Sequence, residues 1–176
     1  MSLLESIATY SGKKINFRDI KVEDINLIDI AKGLSNECRF GGQCDKFYSV
    51  AQHSILVSYL VSKELALEAL LHDAAEAYIK DFPSPLKKIM PDYVKLEKQF
   101  EKVIKEKFGL PQQKSAEIKG ADLIMLATES RDLNMPSVLD YPTLREISPS
   151  AEIKVVPLEP YAAYQAFLAR FKELTE

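Results

Sequence analysis

The segment Leu70–Lys87, which reads LLHDAAEAYIKDFPSPLK, constrains the fold most, because it combines a helical pattern with clustered charge. Residues in and just before it recur at the three- and four-residue steps of one helical face (Leu65, Ala69, His72, Glu76 and Ile79). Burying His72, Asp73 and Glu76 together would cost several kcal/mol unless something compensates for the lost solvation. A metal ion compensates, since neutral imidazole and carboxylate are metal ligands. The segment therefore predicts a helix that carries a metal-binding face.

A break in the chain follows this predicted helix at Asp81-Phe82-Pro83-Ser84-Pro85. Proline has no backbone N–H to donate and disfavours helical geometry in the residue before it. We therefore expect an extended path and a rigid loop that forms one wall of a pocket.

Composition limits the class of protein and its partners. The 176 residues fit one domain, residues 1–176, and 47% apolar with 28% charged residues is typical of a globular protein. A net charge of -3 gives no general attraction to nucleic acid polymers or anionic membranes. No apolar run approaches the about 18 residues of a membrane span, and the N-terminus lacks the features of a signal peptide. We expect a cytoplasmic protein with neither a nucleic acid polymer nor a membrane as partner.

Helical patterns cover most of the remaining chain. Asn26 and Ser49 are typical N-caps for two helices. Three further amphipathic segments span about residues 91–108, 114–133 and 158–174. Residues 1–25 predict a short extended or irregular arm, and residues 136–157 form a proline-rich loop that could hold a hairpin, a lid or an interface. The predicted fold is all-α.

Four polar residues on predicted inward faces indicate a metal site. The only two histidines, His53 and His72, both lie on apolar helix faces, Asp73 follows His72, and Asp122 faces inward on another helix. Two nitrogen and two oxygen ligands suit a borderline or hard divalent ion with positions left for water and substrate. Each residue alone is more often an ordinary core residue, but four such residues on buried faces favour a shared ion.

The order H…HD…D, formed here by His53, His72-Asp73 and Asp122, resembles the HD-domain metal-dependent phosphohydrolases. The segments CRFGG, FYSVAQHS, LLHDAAEAYIKDFPSPLK and ADLIMLATESRDL resemble small bacterial 5′-deoxyribonucleotidases. They resemble more closely short phage-type HD proteins, which include dATP triphosphohydrolases. The similarity covers about residues 26–133. It implies a compact HD-domain helical bundle, one divalent metal ion (Co²⁺, Mn²⁺, Zn²⁺ or Mg²⁺) and a homo-oligomer.

The resemblance also implies roles for matching residues. His53, His72, Asp73 and Asp122 would bind the metal ion. Glu76 matches the acid that positions or deprotonates the attacking water; its alternative is a solvated helix glutamate. Asp81 matches a second acid near the scissile oxygen, although it could equally cap the turn before the first proline.

Four residues match substrate-binding positions of the family. Arg39 matches a phosphate-binding arginine and Lys87 a lysine that meets further phosphates. Phe40 and Pro85 match positions that sandwich the base, although either could belong to the core. Arg39 and His53 lie one residue closer together than in the nucleotidases, so the intervening segment, which helps to set base choice, does not align.

These residues predict an enzyme that cleaves the 5′ phosphate group from purine deoxynucleotides. The best single substrate is dATP, with dADP and dAMP beside it, giving deoxyadenosine plus triphosphate or phosphate. The alternatives are a broad-specificity deoxynucleoside 5′-monophosphatase, a non-catalytic nucleotide-binding sensor and a helical interaction domain. Glu76 beside a complete ligand set favours an enzyme.

Overall fold

Eight α-helices, together with short 3₁₀ turns, make up most of residues 5–176, the part of the chain that the computed structural model describes. They are α1 Leu27–Asn36, α2 Val50–Val57, α3 Ala66–Leu70, α4 Glu76–Ile79, α5 Ser84–Lys87, α6 Pro91–Lys107, α7 Ala116–Asp132 and α8 Pro160–Thr175. The chain is thus mostly helical, as the sequence predicts. None of the helices in residues 5–176 has the length and apolar character needed to cross a membrane.

The N-terminal arm contains a small antiparallel hairpin, which the all-α prediction did not include. Strand β1 (Ser6–Ala8) pairs with strand β2 (Lys14–Asn16), with Ile7 opposite Ile15. Ile15 is fully buried in the main core, so the hairpin anchors the arm on the helices. The first four residues of the predicted arm lie outside the described residues.

Side-chain caps start the first two long helices where the sequence predicts them. The side chain of Asn26 accepts a hydrogen bond from the backbone N–H of Ile28 at 3.0 Å, which starts α1. The side chain of Ser49 accepts one from the backbone N–H of Gln52 at 3.1 Å, which starts α2. Each cap satisfies an N–H that a helix start leaves without a partner. The second cap fixes the helix that carries His53.

The central helix predicted from Leu65 to Ile79 is wrong as a continuous element. Helix α3 ends at Leu70, α4 begins at Glu76, and tight turns connect them with Glu76 N–H donating to the carbonyl of Asp73 at 2.9 Å. At the break, Nδ1 of His72 donates to the carbonyl of Ala69 at 2.7 Å, and the backbone N–H of His72 donates to the same carbonyl at 3.4 Å. In a continuous α-helix that carbonyl would accept from the N–H of Asp73, so the imidazole interrupts the ladder.

The structure agrees with the predictions for the two proline-containing segments to different degrees. The extended path predicted over Asp81–Pro85 is only partly correct, because Ser84–Lys87 forms one helical turn. Pro85 lies within the first two positions of that turn, where a missing N–H costs nothing. The loop of residues 136–157 holds two short 3₁₀ turns, Pro136–Asp140 and Pro142–Leu144, and no long helix, as predicted.

The main core lies where α1 packs on α4 and α8. Gly33 permits the close contact of α1 with α4, because a Cβ at this position would lie 2.7 Å from the Cβ and 2.7 Å from the carbonyl oxygen of Ala77. Phe100 of α6 and Phe167 of α8 are fully buried in the same core. This packing positions α4, and with it Glu76, beside the turns that carry His72.

Candidate metal centre

The two imidazoles lie side by side, with ring centroids 5.3 Å apart. Nε2 of His53 is 3.1 Å from Oδ1 of Asp122 and 3.6 Å from Oδ2 of Asp73, and Nε2 of His72 is 3.1 Å from Oδ2 of Asp73. One ligand atom each from His53, His72 and Asp122 lies within 4.8 Å of the others. The fold therefore brings together the four predicted ligands from α2, α7 and the turns between α3 and α4.

The hydrogen bonds of the two rings indicate which nitrogen carries the hydrogen when each imidazole is neutral. Nδ1 of His72 lies 2.7 Å from the carbonyl oxygen of Ala69, and Nδ1 of His53 lies 2.6 Å from Oε1 of Glu129. A carbonyl or an ionised carboxylate can only accept, so Nδ1 carries the hydrogen in each ring. In the neutral ring, Nε2 then has the lone pair that a metal needs.

The residues present fit a divalent cation. Nε2 of His53 and Nε2 of His72 are buried and, within residues 5–176, neither has a hydrogen-bond partner, although a carboxylate oxygen lies 3.1 Å from each. Those contacts are close without the alignment of hydrogen bonds. Nitrogen lone pairs and carboxylate oxygens directed at one small volume are the donors that a cation requires. The cluster of His53, His72 and Asp122 could therefore hold a metal ion.

The electrostatics of the cluster favour positive charge at its centre. Burial and Arg39 lower the pKa of His53, but Glu129 and Asp122 outweigh them and raise it to about 9. Burial raises the pKa of Asp73, but the two imidazoles beside it hold that pKa well below its ordinary value. Asp122 is ionised for the same reason. Without a cation, protonated imidazoles balance the charge of the carboxylates; a divalent ion would place two positive charges at the same point.

Glu129 completes the centre and was not among the predicted site residues. Its side chain is fully buried, accepts from the Tyr48 hydroxyl at 2.9 Å on Oε1, and accepts from Arg39 on Oε2 at 3.0 and 3.2 Å. Burial raises the pKa of Glu129, but Arg39 and His53 outweigh it, so the carboxylate is ionised. The signal in the sequence is spacing, because Glu129 follows Asp122 by two helical turns on the inward face of α7.

The two predicted catalytic acids, Glu76 and Asp81, both have perturbed environments. Glu76 is 5% exposed, its Oε1 lies 3.1 Å from Nζ of Lys87, and its Oε2 has no hydrogen-bond partner within the described chain. Burial raises the pKa of Glu76 well above that of an ordinary carboxyl, and Asp73 and Asp81 raise it further. Burial also raises the pKa of Asp81, against the opposing charge of Arg39. The structure thus assembles two carboxyl groups with raised pKa values.

A cavity of about 610 Å³ lies between α6 and α7 and opens onto the centre. Three of the predicted ligands, His72, Asp73 and Asp122, form part of its wall, and Lys87 lines it too. Its volume is within the usual range for small-molecule sites, roughly 300–1,000 Å³. The ligand side chains that face this cavity are therefore accessible to a small molecule.

The other three predicted substrate-binding residues lie elsewhere in the described structure. Arg39 is bonded to Glu129 through Nε and Nη2 and is 9% exposed. Phe40 packs against two apolar clusters, with its ring 5.3 Å from the Arg39 guanidinium, and Pro85 is exposed. Of the four residues, Lys87 alone contributes to the cavity wall of residues 5–176.

Comparison with known proteins gives two relatives. No family model matches the sequence. The chain is 49% identical over 170 residues to the uncharacterized protein YfdR of Escherichia coli K12, an alignment that covers 97% of this chain and 96% of YfdR. It is 38% identical over 121 residues to an uncharacterized protein of Rhodobacter capsulatus, covering 63% of this chain and 62% of that protein. The first similarity spans nearly the full length of both proteins.

Proposed function

We propose that this chain, which belongs to the same family as YfdR of Escherichia coli, is a metal-dependent phosphohydrolase of the HD-domain type. It removes the 5′ phosphate group from purine deoxynucleotides, and dATP, dADP and dAMP are the first candidates. The products are deoxyadenosine plus triphosphate or a shorter phosphate. The observation that carries the proposal is that Nε2 of His53 and Nε2 of His72 face shared carboxylates while both Nδ1 atoms are occupied elsewhere.

His53, His72, Asp73 and Asp122 would hold one divalent ion, with Co²⁺, Mn²⁺, Zn²⁺ and Mg²⁺ as candidates. Two imidazoles and two carboxylates leave positions open for water and a phosphoryl oxygen. The bound ion would supply Lewis-acid polarisation of the phosphoryl oxygen and orient the attacking water. The chain contains only two histidines, which favours one ion over a pair.

Glu76 and Asp81 would move the two protons of the reaction. As the water oxygen bonds to phosphorus, Oε2 of Glu76, buried without a hydrogen-bond partner in the described residues, accepts the water proton. The bond from phosphorus to the 5′ oxygen breaks, and Asp81 donates a proton to that oxygen. The raised pKa of each carboxyl suits these roles, because each group then binds a proton closer to neutral pH.

Cations on the chain would stabilise the negative phosphoryl group. Lys87 lines the cavity beside the ligands, where its ammonium meets phosphate oxygens. Nε and Nη2 of Arg39 donate to Glu129 in the described part of the chain, which leaves Nη1 for an anion. The whole chain carries a net charge of -3, so recognition of an anionic nucleotide depends on these local charges.

One assay tests the proposal. The protein is incubated with Co²⁺ or Mn²⁺ and a panel of nucleoside mono- and triphosphates, with and without a chelator. Release of triphosphate from dATP that the chelator abolishes is the expected result. Release of phosphate from all monophosphates alone would select a broad-specificity 5′-monophosphatase. Nucleotide binding without turnover under any divalent ion would refute the hydrolase and leave a nucleotide sensor.

A further inference from the structure

We infer that Glu129 is a positioning residue that holds the ring proton of His53 on Nδ1 and so presents the Nε2 lone pair to a cation. The inference rests on the metal site of the proposed function and is independent of its substrate. It assigns a specific task to a residue that lies outside the predicted ligand and substrate sets.

The geometry of Glu129 requires a carboxylate. Oε1 accepts from Nδ1 of His53 at 2.6 Å and from the Tyr48 hydroxyl at 2.9 Å, and Oε2 accepts from Nε and Nη2 of Arg39 at 3.2 and 3.0 Å. All four contacts come from donors, and the side chain has no exposed surface. An ionised carboxylate is the one side chain of this shape that accepts on both arms.

An amide of the same shape cannot satisfy this arrangement. Glutamine has one acceptor oxygen and one NH₂ donor group. If the NH₂ faces Arg39, two sets of donors meet in a buried site. If it faces His53, Nδ1 must accept, and the ring proton moves to Nε2. We expect the second orientation, because it leaves no donor facing another donor. A neutral ring protonated on Nε2 has no lone pair there for a cation, so Glu129→Gln removes His53 as a ligand.

Two features of the chain separate this role from a merely structural one. Tyr48→Phe deletes a different donor on the same Oε1 and leaves His53 bonded to it, so it is the matched control. His72 is an internal control, because its Nδ1 bonds the Ala69 carbonyl, which neither substitution touches. A structural role predicts similar effects of both substitutions on both rings, whereas the positioning role predicts a change at His53 in one variant.

The test is ¹⁵N-histidine NMR, which distinguishes hydrogens on Nδ1 and Nε2. The chain contains only two histidines, and a His72→Gln variant assigns the two signals. Spectra are recorded without metal at alkaline pH, where both imidazoles are neutral, and again with diamagnetic Zn²⁺. Calorimetry gives zinc affinity in the same proteins.

In the wild type, the inference expects both rings to carry the hydrogen on Nδ1 and both Nε2 signals to shift with zinc. In Glu129→Gln, the His53 hydrogen moves to Nε2, its zinc shift disappears, and zinc affinity falls about 10- to 100-fold, while His72 is unchanged. Tyr48→Phe retains the wild-type tautomers and affinity.

Two results would overturn the inference: a Glu129→Gln protein whose His53 stays protonated on Nδ1 and binds zinc with wild-type affinity, or a wild-type His53 protonated on Nε2. The second result needs no variant, so a Glu129→Gln protein that fails to fold leaves the inference testable. A wild type that binds no zinc refutes the metal site itself. A protein that binds zinc but hydrolyses no nucleotide refutes the proposed function and leaves the tautomer measurement valid.

Discussion

Nζ of Lys87 lies 3.1 Å from Oε1 of Glu76, at the junction between the cavity and the buried centre. The same ammonium lies 2.6 Å from Oε1 of Glu97 on α6. Lys87 therefore fixes one oxygen of Glu76 and leaves the other, Oε2, without a partner in the described structure. Glu76 and Glu97 thus contact the same ammonium, and both of these carboxylates are largely buried.

The two carboxylates that contact Lys87, those of Glu76 and Glu97, provide the first prediction. Glu76→Gln keeps the carbonyl oxygen that Lys87 contacts but cannot accept a water proton, so we expect wild-type metal affinity and about a 10²- to 10⁴-fold loss of turnover. Glu97→Gln alters the second partner of Lys87 and not the proton acceptor, so it should retain far more activity. The measurements are calorimetry with Mn²⁺ and steady-state hydrolysis. A Glu76→Gln protein as active as Glu97→Gln would remove the proposed role of Glu76.

Asp73 provides the second prediction, because its Oδ2 contacts both imidazoles. A ligand that binds only the folded state stabilises it, by about 2.7 kcal/mol when free metal is 100-fold above its dissociation constant. We expect Mn²⁺ to raise the melting temperature of the wild type, and a chelator to reverse this. Asp73→Ala should lose the response and all activity, whereas Asp92→Ala, which removes a carboxylate exposed on α6, should keep both. An Asp73→Ala protein with an unchanged response to Mn²⁺ would exclude Asp73 as a ligand.

The third prediction concerns pH in protein freed of metal by chelation. The pKa of His53 is about 9 in the folded protein against an ordinary 6.5, so protonation of this ring favours folding. Its contribution, on the order of 3 kcal/mol, is fully present below pH 6.5 and is lost as pH rises through about 9. Metal affinity should rise over the same window, because a cation competes with this proton.

Urea unfolding at a series of pH values measures this effect. The fall in the free energy of unfolding between the two pKa values should be smaller in a His53→Gln variant. A residual slope is expected there, since the pKa of His72 is also raised. Identical pH dependence in the two proteins would show that His53 does not titrate as described.

The fourth prediction uses two helical glycines. A Cβ at Gly33 would lie 2.7 Å from the carbonyl oxygen of Ala77, whereas a Cβ at Gly120 would meet nothing within 4 Å. Gly33→Ala should therefore destabilise the protein by roughly 1–3 kcal/mol through overpacking between α1 and α4. Gly120→Ala should stabilise it by about 0.5–1 kcal/mol, because alanine loses less entropy in a helix. Chemical denaturation checks both, and equal effects would contradict the close contact of α1 with α4.

The sequence predicts best where a signal is local. The caps at Asn26 and Ser49 are visible because a short polar side chain precedes an apolar period. The proximity of His53, His72 and Asp122 follows from polar residues on inward helix faces, where a shared partner offsets the cost of burying His53 and of partly burying the other two. Helical class and the cluster that could hold a metal ion were therefore predictable without coordinates.

Features that depend on tertiary partners were not predictable in the same way. The break after α3 depends on the imidazole of His72 turning back to the Ala69 carbonyl, which helical periodicity does not reveal. Glu129 has the spacing of a core position, and its task emerges only when Arg39 and His53 are seen on its two oxygens. The hydrogen bonds of Arg39 to Glu129 were not predicted either, because a planar guanidinium binds an internal carboxylate as readily as a phosphate.

The side chain of Gln52, the neighbour of His53 on α2, connects the centre to the end of the chain. Its amide donates to the carbonyl of Val156 at 2.7 Å and accepts from the N–H of Leu158 at 2.8 Å, as an adjacent β-strand would. The segment leading into α8 is thus hydrogen-bonded one residue away from His53, a predicted metal ligand that precedes it by more than 100 positions. A deletion that removes residues 156–158 together with α8 therefore perturbs the same helical turn that presents His53.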